Sequence, residues 1–144
     1  MLLMACCSMY FGTGWSLDLF SFPTAKKFTV ANYYDQFVPQ VTAATRFFTW
    51  MTGVMIAAAI VMTVSEWNHQ VWAPVIVLVA VIAATGVTEI GILPLNRLLA
   101  GHVTDQRVLD STLGRWMALN RIRIALWTVQ WLTMAVYLGL ALGE

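Results

Sequence analysis

The stretch that decides the fold is residues 71–93, VWAPVIVLVAVIAATGVTEIGIL, in which a single charged residue, Glu89, follows a long apolar run. A helix needs about 20 mostly apolar residues to cross the hydrocarbon core of a bilayer. Of the 144 residues in the chain, 60% are hydrophobic and 10% are charged. A soluble domain carries about 25% charged residues, so the sequence predicts an integral membrane protein.

Three further apolar segments have a similar length, and we therefore predict an all-α fold, an integral membrane four-helix bundle made by one domain, residues 1–144. The predicted spans are about 2–22, 47–64, 71–93 and 122–142. Pro23 and Pro94 are expected to end the first and third spans, because proline removes a donor and clashes with the preceding turn. Short amphipathic cytoplasmic helices are expected in the two longer connections, one of them over residues 110–121.

The basic residues predict the orientation of this bundle. All of them lie in the two longer connections or at the helix ends beside them: Lys26, Lys27, Arg46, Arg97, Arg107, Arg115, Arg121 and Arg123. The positive-inside rule places this end in the cytoplasm. Both termini and the link 65–72 are then expected outside it, as in a bacterial-type inner membrane. A net charge of +1 gives no basic field for nucleic acid. The expected partners are membrane lipids and either a hydrophobic small molecule or neighbouring membrane subunits.

Polar side chains gather in the cytoplasmic third of the predicted bundle. Acids inside a membrane nearly always face the bundle interior or a wet cavity, so Glu89 is expected to face inward, towards one or more arginines. Thr85, Glu89 and Asn96 share one helix face. A second stripe recurs at steps of three and four residues: Trp116, Asn120, Arg123, Trp127, Gln130 and Met134. Two opposed stripes predict a small-molecule pocket, although buried ion pairs and amides can also serve only to hold helices together.

The sequence predicts no cofactor and no metal site. His69 and His102 would lie on opposite sides of the membrane, which excludes a haem held by both and leaves a single axial ligand open. Soft sulfur ligands of the kind that suit Cu(I) lie near the start of the first span: Met4, Cys6, Cys7 and Met9. Methionine is also a common filler of packed interiors. The chain has no phosphate-binding glycine loop, no HExxH and no GxSxG motif.

Three short motifs give the chain a family resemblance. They are GTGWSLDLFSFPT (12–24), GILPLNRLLAG (91–101) and RWMALNRIR (115–123). Over about residues 9–140 the chain resembles the anthrone oxygenase-like family of small four-span membrane proteins. In that family a Pro-Leu-Asn turn ends the third span, and Trp, Asn and Arg introduce the fourth. The matching residues are Pro94, Leu95 and Asn96, followed by Trp116, Asn120 and Arg123.

The resemblance implies oxidation of an anthrone, a flat aromatic ketone, to an anthraquinone by O₂ without a classical organic cofactor. In such a reaction Glu89 would be the general base, and Arg123 or Asn120 would hydrogen-bond the developing oxyanion. Trp127 and Trp131 would stack on the ring. Further substrate contacts are assigned to polar and aromatic residues in the same third of the bundle: Asn96, Trp116, Asp18 and Arg46.

Two other classes of function compete with this hypothesis. The chain could be an accessory or structural subunit that covers the lipid-facing surface of a neighbour in a larger membrane complex. Such a subunit is expected to have a dry, ion-paired centre. A small transporter or channel is disfavoured, because pathways are lined by polar groups and the outer halves of the predicted spans are nearly all aliphatic.

Overall fold

The computed structural model describes residues 1–143, which form helices joined by turns, with no strand among them. The α-helices are α1 (Leu2–Ser16), α2 (Phe22–Ala25), α3 (Tyr33–Ser65), α4 (Trp72–Val87), α5 (Leu93–Ala100) and α6 (Gln106–Ala141). A single π-helical turn joins α1 to α2 and another joins α4 to α5. We call them the first π segment (Leu17–Ser21) and the second π segment (Thr88–Ile92).

Three continuous helical runs in the described part of the chain are long and apolar enough to cross a membrane. They are Tyr33–Ser65, Trp72–Ala100 and Gln106–Ala141. The prediction of an all-helical chain with helices of membrane-spanning length is therefore confirmed for these three. The first predicted span corresponds to α1, the first π segment and α2, and its passage through a membrane stays a prediction.

The helices continue to Ala25 after Pro23 and to Ala100 after Pro94, so the prediction that a helix ends at each proline is wrong. The ends of the membrane spans stay predictions. A proline lacks an N–H, and its ring clashes with the carbonyl four residues earlier. Immediately before Pro94, the N–H of Leu93 donates five residues back, to the carbonyl of Thr88. The same widened turn precedes Pro23. Widening the turn shifts the hydrogen-bond register ahead of the proline, which lets the helix go on.

The expected short amphipathic helices are the first turns of long helices, so the prediction of separate short helices is also wrong. α3 already begins at Tyr33, and α6 begins at Gln106, where the Asp105 carboxylate caps it by accepting the N–H of Arg107 at 2.8 Å. Both early turns bury apolar side chains, such as Phe37 in α3 and Leu109 in α6. Burial of one helix face stabilises these turns against the core, so no break separates them from the spans.

The two basic connections lie against each other at one end of the molecule. The Tyr33 hydroxyl donates to the carbonyl of Leu99 at 2.9 Å and accepts the N–H of Val103 at 2.6 Å. The side chain of Gln106 accepts the N–H of Val30 at 3.0 Å. These hydrogen bonds tie the turn before α3 to the turn before α6, so both connections are held at the same end.

The long helix α6 is the centre of the packing, and it lies against α1 and α4, while α3 packs on α4. α1 approaches α6 closely at Gly14, where a Cβ atom would lie 2.8 Å from the Trp127 ring. α1 and α3 contact each other less extensively than α1 and α6. A cavity lies between these helices.

Candidate functional site

The cavity has a volume of about 470 Å³ and is bounded by the first helix with its π segment, by α3, by α4 and α5, and by α6. This volume falls within the range of about 300–1,000 Å³ that is typical of small-molecule sites. Its walls combine aromatic rings, among them Phe48, Trp116 and Trp127, with threonine side chains. Its lining also includes the exposed residues Ser21 and Gln40.

Most of the residues predicted for the site line this cavity. They are Glu89, Asn96, Trp116, Asn120, Arg123 and Trp127. The stripe on α4 and α5, which also includes Thr85, lies on one wall, and the stripe on α6 lies on another. The structure therefore brings the two predicted stripes to a common space as far as Trp127.

Three residues predicted for the site lie elsewhere. Asp18 accepts a hydrogen bond from Arg121 Nε at 2.9 Å in a partly exposed ion pair. Trp131 stacks on Phe11 with ring centroids 4.7 Å apart. Arg46 is exposed on α3 and lines a smaller groove outside the cavity.

A chain of hydrogen bonds crosses the cavity wall from α5 to Arg123. The indole Nε1 of Trp116 donates to Asn96 Oδ1 at 2.9 Å. Asn120 Nδ2 donates to the carbonyl of Trp116 at 2.9 Å, and Asn120 Oδ1 accepts from Arg123 Nη1 at 3.1 Å. The Asn120 side chain is 1% exposed. Asn120 therefore acts by holding Arg123 in place, and Arg123 is the donor that reaches the cavity.

The guanidinium of Arg123 is not neutralised by any acid in the described residues. Its Cζ lies 4.5 Å from the centroid of the Trp127 ring, a cation–π contact. Its Nε is buried and has no hydrogen-bond partner within residues 1–143. Leaving a buried donor unsatisfied costs about 1–3 kcal/mol, so this nitrogen would gain from an acceptor on a ligand.

Glu89 reaches the cavity from the second π segment. Its carboxylate forms no ion pair with an arginine; the ion pair found among the described residues is that of Asp18 with Arg121. Glu89 thus lines the predicted cavity without the expected pairing. Glu89 and Arg123 are the charged side chains on the cavity wall in the part of the chain that the structure describes.

The threonine-rich wall of the cavity was not predicted from the sequence. Five hydroxyls of this wall donate to the carbonyl four residues earlier in the same continuous helical run: Thr24, Thr45, Thr49, Thr85 and Thr88. A signal for the α3 wall existed at steps of four residues: Gln36, Gln40, Ala44, Phe48 and Thr52. This spacing was not recognised as a helix face, because the second span was expected to begin only at residue 47.

The cysteines and histidines lie apart from this cavity. No group of three or more His, Cys, Asp or Glu side chains that could hold a metal ion occurs within residues 1–143. Cys6 and Cys7 are free thiols buried in the apolar core. His102 stacks on Tyr34 with ring centroids 3.5 Å apart. The absence of a resident metal or cofactor stays a prediction.

Comparisons of the chain with protein-family models, with curated proteins and with solved structures find no match. The resemblance to the anthrone oxygenase-like family therefore stays a prediction that rests on the three sequence motifs. The cavity is lined by aromatic rings and threonines together with one carboxylate, on the exposed residue Glu89, and one cation, Arg123.

Proposed function

We propose that the chain is an integral membrane protein whose four helical segments cross the bilayer, and whose cavity binds and oxidises a flat, apolar ketone of the anthrone type. Large apolar side chains exposed on the helices support the membrane placement, among them Val61, Val79, Ile82, Ile90 and Val136. Soluble proteins rarely expose large apolar patches. The basic end would face the cytoplasm, with both termini on the other side.

The observation that carries the proposed chemistry is that one cavity is lined by a guanidinium without an acidic partner, Arg123, and by a carboxylate without a cationic partner, Glu89. Because Glu89 and Arg123 do not neutralise each other, each is free to act on a ligand. A ketone with an acidic C–H group would use both of them. Glu89 would take the proton as general base, and Arg123, held by Asn120, would donate to the oxygen on which negative charge develops.

The reaction balances without a further reactant. Glu89 takes one proton from the methylene carbon of the anthrone, and the resulting anthrolate oxygen accepts a hydrogen bond from Arg123. O₂ then oxidises that carbon by four electrons. One oxygen atom enters the product as the new carbonyl, and the other leaves as water with the two methylene hydrogens. Trp116 and Trp127 would flank the ring system.

The alternative function, an accessory subunit of a larger membrane complex, calls for a dry and ion-paired centre. A cavity of about 470 Å³ with an unneutralised guanidinium favours ligand binding over that reading. No observation specifically supports a neighbouring subunit, so this alternative remains a prediction from the sequence.

The proposal is tested by reconstituting the protein in nanodiscs and following anthrone conversion to anthraquinone by absorbance together with O₂ consumption. Empty nanodiscs provide the rate of spontaneous oxidation. Glu89→Gln is expected to lower the protein-dependent rate by about 10²–10⁴-fold, the usual contribution of a general base. Glu66→Gln is the matched control, because Glu66 follows the last turn of α3, outside the cavity.

Two outcomes would contradict the proposal at different levels. Full turnover in Glu89→Gln would remove the assignment of the base. A wild-type rate no higher than that of empty nanodiscs would reject the reaction. Quenching of tryptophan fluorescence by anthrone, measured without O₂, would then tell whether the cavity still binds the ligand.

A further inference from the structure

A second, smaller groove lies between α3 and α5, on the outer side of the wall that bounds the large cavity. It has a volume of about 330 Å³. Its floor is apolar and includes Val38, Leu93 and Leu99. Arg46 from α3 and Arg97 from α5 both line it.

The two arginines of this groove are not neutralised by any acid within residues 1–143. Both are exposed, and neither forms an ion pair within the described residues. No aspartate or glutamate occurs among the described residues that line the groove. The hydroxyls of Thr42 and Thr45 donate to carbonyls of their own helix. The groove therefore offers two cationic donors beside an apolar trough.

This combination distinguishes an amphiphilic anion from a small one. A free phosphate ion would use the two guanidinium groups and leave the apolar floor without a partner. A phospholipid would use both, because its phosphate suits arginine donors and its acyl chain suits an apolar surface. The groove lies at the basic end of the molecule, which the membrane placement puts at the level of the cytoplasmic headgroups, where anionic lipids are found.

We propose that the groove between α3 and α5 binds an anionic phospholipid, with the phosphate at Arg46 and Arg97 and an acyl chain along the apolar floor. The inference rests on the membrane placement proposed above and is independent of the chemistry in the large cavity. Asn96 lines both spaces and accepts the indole N–H of Trp116. A bound lipid would thus lie next to the first residue of the hydrogen-bond chain that leads to Arg123.

The test uses the full chain in phosphatidylcholine vesicles that contain a small fraction of spin-labelled lipid, either phosphatidylglycerol or phosphatidylcholine. Electron paramagnetic resonance gives the motionally restricted fraction of each label. The wild type is expected to retain phosphatidylglycerol in preference to phosphatidylcholine. Arg46→Gln and Arg97→Gln should each lower this preference about fivefold, the effect of one basic residue at an anionic surface.

The matched control is the double variant Arg107→Gln/Arg115→Gln, which loses the same charge from exposed positions outside the groove. It is expected to keep the preference that Arg46→Gln/Arg97→Gln loses. Equal loss in both double variants would mean a general surface-charge effect and would overturn the site. A wild type without any preference for phosphatidylglycerol would also overturn it.

A calorimetric titration of the detergent-solubilised protein with inorganic phosphate separates the two sources of the anion. Phosphate binding that disappears in Arg46→Gln/Arg97→Gln would identify a free-anion site and overturn the lipid assignment. Protein that does not insert into vesicles would contradict the membrane placement itself. Protein that inserts but shows no lipid preference would contradict the lipid site and leave the placement intact.

Discussion

The two π segments share a local pattern and differ in what their acids do. Each carries an acid at its second position, five residues before a proline: Asp18 before Pro23, and Glu89 before Pro94. In the first segment the carboxylate is bound by Arg121 in a partly exposed pair. In the second the carboxylate lines the cavity that Arg123 also lines, and it has no cationic partner within residues 1–143.

The directions in which two side chains leave α6 account for this difference. Arg121 and Arg123 are two residues apart, and each residue of an α-helix turns by about 100°, so the two side chains point to nearly opposite sides. Arg121 points outward and meets the first π segment, whereas Arg123 points into the cavity. In this chain, an acid within a π turn forms an ion pair or lines an open cavity, depending on which side of α6 it lies against.

The largest expected effect separates the two arginines. Arg123→Met should lower anthrone turnover by about 10²–10³-fold, because it removes the donor to the developing oxyanion. Arg121→Met should retain turnover, because its side chain lies outside the cavity. Rates in nanodiscs, measured beside thermal unfolding of both variants, check this contrast. Equal losses of turnover in the two variants would contradict the separate roles assigned to Arg121 and Arg123.

A smaller effect separates the glycines near the two π segments. A Cβ at Gly14 would lie 2.8 Å from the rigid Trp127 ring, and one at Gly91 would lie 2.8 Å from the flexible end of Leu119. Gly14→Ala should therefore lower the free energy of unfolding by about 1–3 kcal/mol through overpacking. Gly91→Ala should be nearly neutral, since the flexible end of Leu119 can move aside. Denaturation followed by tryptophan fluorescence measures both, and a reversed order would contradict the packing argument.

The smallest effect is expected from Asp18→Asn. The pair that it breaks has side chains 58% and 27% exposed for Arg121 and Asp18, and exposed pairs contribute about 0–1 kcal/mol. The loss should shrink further in high salt, which screens exposed charges. Thermal unfolding at low and high ionic strength tests this. A loss of several kcal/mol that is insensitive to salt would mean that the first π segment depends on its ion pair.

The sequence predicted those features that depend on length and helical period. The apolar run 71–93 required a long helix, and the structure has one from Trp72 to Ala100. The four- and seven-residue spacing of Thr85, Glu89 and Asn96 placed them on one face, and all three line the cavity. Their position could be predicted because both spacings are close to whole numbers of helical turns, and the π turn between Thr85 and Asn96 moves none of the three off the cavity wall.

Features that depend on a change of register could not be predicted in the same way. The rule that proline ends a helix assumes an α-helical turn before Pro94, whereas a π turn removes the clash and is not visible in the pattern of residue types. Which side chain of α6 would meet a carboxylate depended on the rotation of the packed helices. For that reason Arg121 was found paired while Arg123 was not.

The threonine wall has a consequence for how tightly the cavity would bind the proposed substrate and its product. Its hydroxyl hydrogens are committed to backbone carbonyls, for example that of Thr85 to Val81 and that of Thr88 to Ala84, so the wall offers acceptors and few donors. The enol form of an anthrone carries a hydroxyl that such acceptors bind. The keto form and the quinone carry only carbonyl acceptors, which this wall does not bind. The wall would therefore hold the enol form of the proposed substrate more tightly than the quinone, and oxidation would weaken the contacts of the product with this wall.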